Sequence, residues 1–469
     1  MNNNAQLSSG VQNYVNRGQE IVKRREDDFR RMKRCRFDTI AVHGMYTMRE
    51  ALEENQGSII EPAYIATSQG YRDSDEMEAG LAYLIPTWCY ARIANPTTYY
   101  LEWVLALLEG YGSDMETSAV VTSSGMAAIT SAVEPFLVKL SEAADEPINF
   151  VSSACIYGGA FQQFSIRQKE KGRLVRWVQN PSNLQTWEAL IDDNSRFLYA
   201  ELPSNPNIAF CDIKALAELA HRHGIPLIVD STVATPALLR PLTLGADIVV
   251  QSLSKTITAG GLGIGGAIIS RKNLVSEKVI QAKEMTDDFA SWVKFLPYRD
   301  NGPSMNPLHA LMVLNDLRTL RSKVDTMSKN AMQIAQWLAE HPGVEQVHYL
   351  GLESDPMHKL AKRDMVLADS ELDSGKPVNR YSHLMSFRVK GGGQAARRVM
   401  DGFEMIYRAT DLGRIKSVAT IPAISTHQQQ GEEARIMADI PANLIRLNIG
   451  AEHPDDIIAD LERGFSRLG

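Results

Sequence analysis

The sequence has little cysteine, no long apolar run and no excess of positive charge. Its 469 residues include four cysteines, and no two of them have the spacing of metal ligands or of a redox pair. We therefore expect reduced, buried thiols at all four positions. No apolar run approaches the roughly 18 residues that a membrane-spanning helix needs. The net charge of −7 gives no electrostatic reason to bind nucleic acid, so we predict neither a membrane nor a nucleic-acid partner.

The beginning of the sequence, MNNNAQLSSGVQNYV, also lacks the apolar core of a secretory signal. We therefore expect a cytoplasmic protein. The composition, with 44% hydrophobic and 22% charged residues, is that of an ordinary globular chain. The length allows two or three domains with a large core.

The alternation of apolar runs with helical spacing predicts the fold class. From Ser118 to Asp230 short strands alternate with helices, which is typical of an α/β protein with a mainly parallel sheet. After about Asn306 we expect one long helix and then short strands, which indicate a smaller C-terminal α/β domain. The charged residues before about 36 predict an exposed helix, and residues 368–380 predict a surface loop.

The stretch 225–270 is the most informative part of the chain. Asp230 and Lys255 each follow a strand there, and ligands of α/β sheets bind beyond the carboxyl ends of strands. A carboxylate and a lysine suit pyridoxal phosphate, which forms a Schiff base with the lysine and sets its ring nitrogen against the acid. The alternative for Lys255 is a solvated surface residue. The runs that predict buried strands are Leu227–Val229, Ile248–Val250 and Gly266–Ile269.

Hydroxyl groups and backbone amides near this lysine can form an anion site. The segment Ser123–Met126 lies between a predicted strand and helix, where free N–H groups bind anions. Ser252 and Ser254 add hydroxyl groups that can reach the same phosphate. A serine at a helix start is more often only a cap.

Three further side chains are candidates for the same site. Tyr157 can stack on an aromatic cofactor, although a lone tyrosine usually only packs. Asn205 can bind a ring substituent, or can simply form a turn. Arg446 lies in an apolar strand and needs an anion there, either a substrate carboxylate or a structural ion-pair partner.

Together these segments resemble the pyridoxal-phosphate-dependent enzymes of cysteine and methionine metabolism, such as cystathionine gamma-synthase, methionine gamma-lyase and O-acetylhomoserine sulfhydrylase. The resemblance runs from about Ile59 to the C-terminus. The segments that carry it are YARIANPTT (90–98), SSGMAAI (123–129), IYGG (156–159), ELPSNP (201–206), VDSTVATP (229–236), SLSK (252–255), HPGVEQVHY (341–349) and IRLNIGAEHPDD (445–456).

This resemblance implies a role for each candidate. Lys255 would be the catalytic Schiff-base lysine and Asp230 the partner of the ring nitrogen, while Tyr157 would stack on the ring. Asn205 would lie near the cofactor's 3-oxygen, and Arg446 would hold the substrate carboxylate. The phosphate would be bound by Ser124, Gly125, Met126, Ser252 and Ser254, and by Tyr90 and Arg92 from a neighbouring subunit, with Tyr90 also catalytic.

The resemblance also implies an aspartate-aminotransferase-type fold, fold type I, whose three-layer domain has a mainly parallel sheet. The assembly it implies is a homotetramer of two catalytic dimers. We expect an N-terminal arm and oligomerisation segment over 1–115, the cofactor domain over 116–305 and the C-terminal domain over 306–469.

The implied reaction is replacement at the gamma carbon of an O-substituted homoserine by a sulfur nucleophile. Gly159 favours it over a methionine gamma-lyase, which carries cysteine there. Asp411 is a departure, since the family usually reads Ser-Leu-Gly where this chain reads Asp-Leu-Gly. If Asp411 binds the substrate, it would welcome a cationic leaving group and repel an anionic one. The alternatives are a gamma-lyase, a transaminase and a non-catalytic member that only binds the cofactor.

Overall fold

The computed structural model describes residues 7–138 and 147–468. Two sheets organise them, a seven-stranded sheet of order β1-β7-β6-β5-β4-β2-β3 and a five-stranded sheet of order β10-β11-β12-β9-β8. The strands are β1 Thr117–Thr122, β2 Asn149–Ser153, β3 Leu174–Val178, β4 Ser195–Glu201, β5 Leu227–Asp230, β6 Ile248–Ser252, β7 Gly266–Arg271, β8 Val344–His348, β9 Leu384–Val389, β10 Tyr407–Arg408, β11 Val418–Thr420 and β12 Leu444–Asn448.

Helices surround both sheets. They are α1 Ser9–Lys33, α2 Phe37–His43, α3 Met48–Glu54, α4 Ser74–Leu81, α5 Pro96–Glu109, α6 Gly125–Val133, α7 Gly158–Gln162, α8 Leu184–Glu188, α9 Ile213–Arg222, α10 Thr235–Leu238, α11 Lys283–Asp287, α12 Phe289–Val293, α13 Arg299–Asn301, α14 Pro307–Leu317, α15 Leu320–Glu340, α16 His358–Asp364, α17 Ser370–Ser374, α18 Gly392–Asp401, α19 Gly431–Met437 and α20 Pro454–Phe465.

The seven-stranded sheet is parallel from β6 through β5, β4 and β2 to β3, and β7 runs antiparallel to β1 and β6. Because strand side chains alternate between faces, Val120 joins the core that contains α6 and α12, and Val121 joins the core on the α5 side. Helices on both faces of one sheet form the three layers that the family resemblance implied, and a largely parallel sheet requires that cover.

The five-stranded sheet has its own apolar core with α15, α18 and α20. Its central strand β12 pairs antiparallel with β11 and β9, and all five residues of β12 are buried. A polar side chain on this strand is therefore held in a fixed place, which matters for Arg446.

Three sequence-based expectations were wrong in detail. The long helix is two helices, α14 and α15, separated at residues 318–319, where Thr319 leaves helical geometry. The predicted loop 368–380 contains α17 and is fastened by Asp369, whose carboxylate accepts hydrogen bonds from the Phe37 N–H and the Tyr111 hydroxyl. Cys35 is half-buried, whereas the other three cysteines are buried.

The N-terminal helix α1 is exposed on its charged face, as the charge pattern of its sequence predicts. Arg30 pairs with Glu26 and Asp27 on the exposed face of α1, as acidic and basic residues at helical spacing predict. In the parts of the chain that the structure describes, no helix is long and apolar enough to cross a membrane.

Candidate active site

Lys255 lies in the turn that follows β6, at the carboxyl edge of the parallel strands. Its side chain is 29% exposed, and its Nζ lies 2.5 Å from Oδ1 of Asp411. The Asp411 segment is packed against the lysine turn, because a Cβ on Gly413 would lie 2.4 Å from the backbone nitrogen of Thr256. Asp411 therefore faces the lysine amine.

Asp411 is placed between two cations. Its second oxygen, Oδ2, accepts a hydrogen bond from Nε of Arg414, so Arg414 lies behind the carboxylate and Lys255 in front of it. Burial alone would raise the pKa of Asp411, but the hydrogen bonds and charges of Lys255 and Arg414 outweigh it and lower that pKa. The carboxylate is thus ionised at neutral pH.

Asp230 ends the neighbouring strand β5 and is also buried. Its Oδ1 accepts the N–H of Thr232 at 3.0 Å, and the Tyr199 hydroxyl approaches Oδ2 at 3.5 Å. Burial raises the pKa of Asp230, since a charge there has lost its water. A protonated ring nitrogen would restore the missing positive partner.

Arg446 on β12 is fully buried. Its Nη1 donates to Oδ1 of Asn205 at 2.9 Å, and its Nη2 donates to the carbonyls of Thr410 at 3.0 Å and Asp411 at 2.6 Å. Its Nε has no partner in the described structure. Burial lowers the pKa of Arg446 to about 10, and the free N–H is the kind of donor that an incoming anion satisfies.

The phosphate residues predicted at the start of α6 and in the lysine turn lie together. Ser124 caps α6, and a Cβ on Gly125 would lie 2.8 Å from the Ser252 Cβ, so the helix start and the lysine turn touch. Ser254 exchanges hydrogen bonds with the backbone of Gly265, at 3.2 Å and 3.0 Å. A helix N-terminus with a glycine that admits no side chain is a ready site for a phosphate.

Tyr157 is 39% exposed and is the N-cap residue that precedes α7. A Cβ on Gly159 would lie 2.4 Å from the Tyr157 ring and 3.2 Å from Met126 Sδ, which places Met126 and the tyrosine ring side by side. Burial, followed by the charge of Glu201, raises the pKa of Tyr157. The tyrosine is neutral, and its partial exposure leaves part of the side chain accessible to a cofactor.

Tyr90 and Arg92 lie together at the surface. Tyr90 is 44% exposed, and the Arg92 guanidinium lies 5.5 Å from its ring centre. Arg92 also donates to the Arg299 carbonyl. Within one chain these two residues contact each other. Their role at the phosphate of a neighbouring subunit stays a prediction.

A family model described as Cys/Met metabolism PLP-dependent enzyme matches residues 38–466 of this chain. The chain belongs to that family. It is 35% identical, over 92% of its length and 96% of the relative, to an O-succinylhomoserine sulfhydrylase from Pseudomonas aeruginosa. It is 31% identical, over 93% of its length and 98% of the relative, to an L-methionine gamma-lyase from Porphyromonas gingivalis.

A solved structure assigned as an O-acetylhomoserine (thiol)-lyase of Campylobacter jejuni is similar over 92% of this chain and all of its own, with a TM-score of 0.80 and 31% identity. It contains a pyridoxyl-lysine 5′-monophosphate residue. The family resemblance and fold type I are thereby confirmed. This Cys/Met metabolism enzyme uses pyridoxal phosphate, and it is of transferase or lyase type.

The residues of this chain fit that cofactor. The amine of Lys255, the buried carboxyl of Asp230, the partly exposed ring of Tyr157 and the helix start at Gly125, which excludes any side chain, all lie at or just after the ends of strands, at the carboxyl edge of the parallel sheet. The partnerless Nε of Arg446 supplies an unused donor beside them. These are the groups that pyridoxal phosphate and an amino acid need.

Two further buried residues, Glu201 and His383, lie at this candidate site. Glu201 accepts the N–H of Tyr157 at 2.5 Å and of Asn205 at 2.8 Å. His383 Nε2 lies 2.8 Å from Thr256 Oγ1, beside the lysine, and burial lowers the His383 pKa to about 4, so the ring is neutral. Glu201 is the first residue of ELPSNP, one of the segments that carry the family resemblance, so the sequence could have indicated it. His383 lies in none of those segments, and only the fold brings it near the lysine turn.

Proposed function

We propose that this enzyme replaces the gamma substituent of an O-acylhomoserine with a sulfur nucleophile. The observation that carries the proposal is Gly159. A Cβ at this position would lie 2.4 Å from the Tyr157 ring, so the cysteine that marks methionine gamma-lyases does not fit the present arrangement. The similarity to sulfhydrylases over more than nine-tenths of the chain supports the same reaction.

The residues have separate tasks in this reaction. Arg446 binds the alpha-carboxylate of the amino acid, and Asn205 holds the guanidinium in place through Nη1. Asp230 holds a proton on the cofactor's ring nitrogen. Bound pyridoxal phosphate supplies the electron sink that stabilises negative charge at the substrate carbon.

Lys255 moves the protons. Its Nζ accepts the alpha proton and, within the same reach, exchanges a proton at the beta carbon, which the loss of a gamma substituent requires. His383 and Thr256 position the backbone of the lysine turn through their hydrogen bond of 2.8 Å. The bond between the gamma carbon and the ester oxygen breaks, the acyloxy group leaves as a carboxylate, and the sulfur nucleophile forms its bond to the gamma carbon.

We also propose that the active site is shared between subunits. We infer a homotetramer of two catalytic dimers, in which Tyr90 and Arg92 reach the phosphate of the neighbouring subunit, with Tyr90 also serving catalysis there. Both side chains are exposed in the single chain, and Arg92 carries a charge that suits a phosphate. We also infer that the enzyme works in the cytoplasm.

The second candidate function is gamma-elimination to a 2-oxo acid and ammonia. The similarity to an L-methionine gamma-lyase supports this reaction. In that reaction the gamma carbon takes up a proton instead of the sulfur nucleophile, and water releases ammonia at the alpha carbon, which becomes the keto carbon of the 2-oxo acid. The same residues bind and deprotonate the substrate in both reactions, so access to the gamma carbon decides between them.

Incubation of the purified, cofactor-loaded enzyme with O-acetylhomoserine, with and without sulfide, distinguishes the two. Mass spectrometry should detect homocysteine in proportion to the ester consumed when sulfide is present. Release of 2-oxobutyrate and ammonia at a rate that sulfide leaves unchanged would move the assignment to a lyase. Formation of a keto acid without ammonia would indicate transamination.

A further inference from the structure

The charge distribution beside Lys255 bears on which homoserine esters the enzyme accepts, and this inference rests on the proposed function. Two cations bind the Asp411 carboxylate, Lys255 at 2.5 Å from Oδ1 and Arg414 on Oδ2, and a third, Arg446, donates to the Asp411 backbone carbonyl at 2.6 Å. Once a substrate is bound, each of these side chains either pairs its charge with an anion or is neutral.

Arg446 is matched by the alpha-carboxylate of the amino acid. Arg414 is matched by Asp411 and also donates from Nη1 to the carbonyl of Thr258 at 2.8 Å. Lys255 must be neutral to accept a proton. None of these three side chains therefore has an unpaired positive charge that could bind a second anion on the substrate.

The gamma substituent comes close to Asp411. Lys255 Nζ must come within hydrogen-bond reach of the beta carbon, about 3 Å, and the substituent begins two bonds further on. Since Oδ1 of Asp411 lies 2.5 Å from Nζ, the substituent begins within roughly 8 Å of that oxygen. Arg414 lies on the far side of the carboxylate, so the nearest fixed charge is negative.

We propose that Asp411 makes the site discriminate against a second anion on the gamma substituent, so that homoserine esters of uncharged acyl groups are preferred over dicarboxylate and phosphate esters. Asp411 is then a specificity-determining residue. It would set this chain apart from the relative named as an O-succinylhomoserine sulfhydrylase.

Two amino acids that have no leaving group test this directly. L-Norleucine and L-2-aminoadipate are similar in length, and only the second ends in a carboxylate. The absorbance change of the holoenzyme on titration gives a dissociation constant for each. We expect the wild type to bind norleucine at least about tenfold more tightly, and Asp411→Asn to reduce that ratio by about tenfold, the equivalent of about 1.4 kcal/mol.

The ratio separates the charge effect from other consequences of the substitution. A change in folding or in Lys255 alters both dissociation constants together, whereas the lost charge alters only that of aminoadipate. Asp411→Ser provides a second neutral variant. Asp455→Asn, at a side chain that is 83% exposed on α20, removes the same charge elsewhere and should leave the ratio unchanged.

A ratio that is the same in Asp411→Asn and wild type would overturn the proposal, and so would a wild type that binds aminoadipate as tightly as norleucine. Turnover of O-acetyl- and O-succinylhomoserine gives the second arm, with the acetyl ester favoured. If neither ester reacts, the proposed function fails, while the titration still decides the role of Asp411.

Discussion

Glu201 and Asp230 are paired residues at the ends of the adjacent parallel strands β4 and β5, and both are buried. Burial first, and then the charge of Asp230, raises the pKa of Glu201 well above its ordinary value. The two oxygens of Glu201 accept the backbone N–H groups of Tyr157 and Asn205. One carboxyl group thus positions both the proposed stacking ring and the proposed partner of the cofactor's 3-oxygen.

Glu201→Gln should weaken cofactor binding. The amide keeps one acceptor oxygen but leaves one buried N–H without a partner, which costs about 1–3 kcal/mol. We expect the dissociation constant for pyridoxal phosphate, measured by absorbance titration, to rise by about tenfold. Glu188→Gln on α8, at a side chain that is 55% exposed, is the matched control. Unchanged binding in Glu201→Gln would show that Glu201 does not position these two residues.

Arg446→Lys should impair amino-acid binding more than cofactor binding. A lysine cannot hold Asn205 and the Asp411 carbonyl and still offer a forked pair of donors to a carboxylate. We expect kcat/KM for the amino acid to fall by about 100-fold, mostly through KM. Arg388→Lys on the neighbouring strand β9, where the arginine pairs with Asp439, is the control. A normal KM in Arg446→Lys would assign the carboxylate to another residue.

Arg92→Ala should reduce cofactor retention. If the guanidinium meets a phosphate across a subunit boundary, its loss weakens binding by about 2 kcal/mol, or about 30-fold. Dialysis followed by measurement of bound cofactor checks this, with Arg397→Ala on α18 as a control at an exposed arginine. A monomeric enzyme that retains full cofactor occupancy would contradict the shared site.

The sequence predicted the parts of this fold that depend on local pattern. Strands β5, β6 and β7 match three apolar runs, and Asp230 and Lys255 follow two of them, because burial on both faces leaves a continuous apolar signal. The break at residues 318–319 carries neither proline nor glycine, so the sequence offered no signal for it.

Contacts between distant segments could not be predicted in this way. Asp411 was visible as a departure from the family's usual segment, but only the fold, in which Lys255 Nζ lies 2.5 Å from Asp411 Oδ1, shows that Asp411 faces Lys255. His383 and Thr256 are 127 residues apart and meet only in the fold. The domain boundaries and the roles carried over from the family remain predictions.

Glu109 makes stability depend on pH. It is fully buried at the end of α5, its Oε1 has no partner in the described structure, and burial raises its pKa from 4.5 to about 8. The folded chain therefore keeps a proton that the unfolded chain loses. The stabilisation is fully present below about pH 4.5 and is lost as the pH rises to about 8.

Glu109→Gln should flatten this dependence. Between about pH 5 and 8 the residue contributes a slope of up to about 1.4 kcal/mol per pH unit, which the amide removes. Denaturant unfolding at several pH values measures it, with Glu116→Gln, at a side chain that is 64% exposed, as the control. A variant whose stability falls with pH as steeply as the wild type would show that Glu109 is ionised throughout.

Reduction of the holoenzyme with borohydride tests the role of Lys255 most directly. The absorbance band near the edge of the visible range should disappear, and peptide mass mapping should locate the reduced pyridoxyl group on Lys255. Lys255→Ala should form no such adduct and should lose turnover, because the substitution removes the proton carrier. The variant should fold normally, because the substitution removes little buried surface. An adduct on another lysine, or wild-type turnover in Lys255→Ala, would contradict the account.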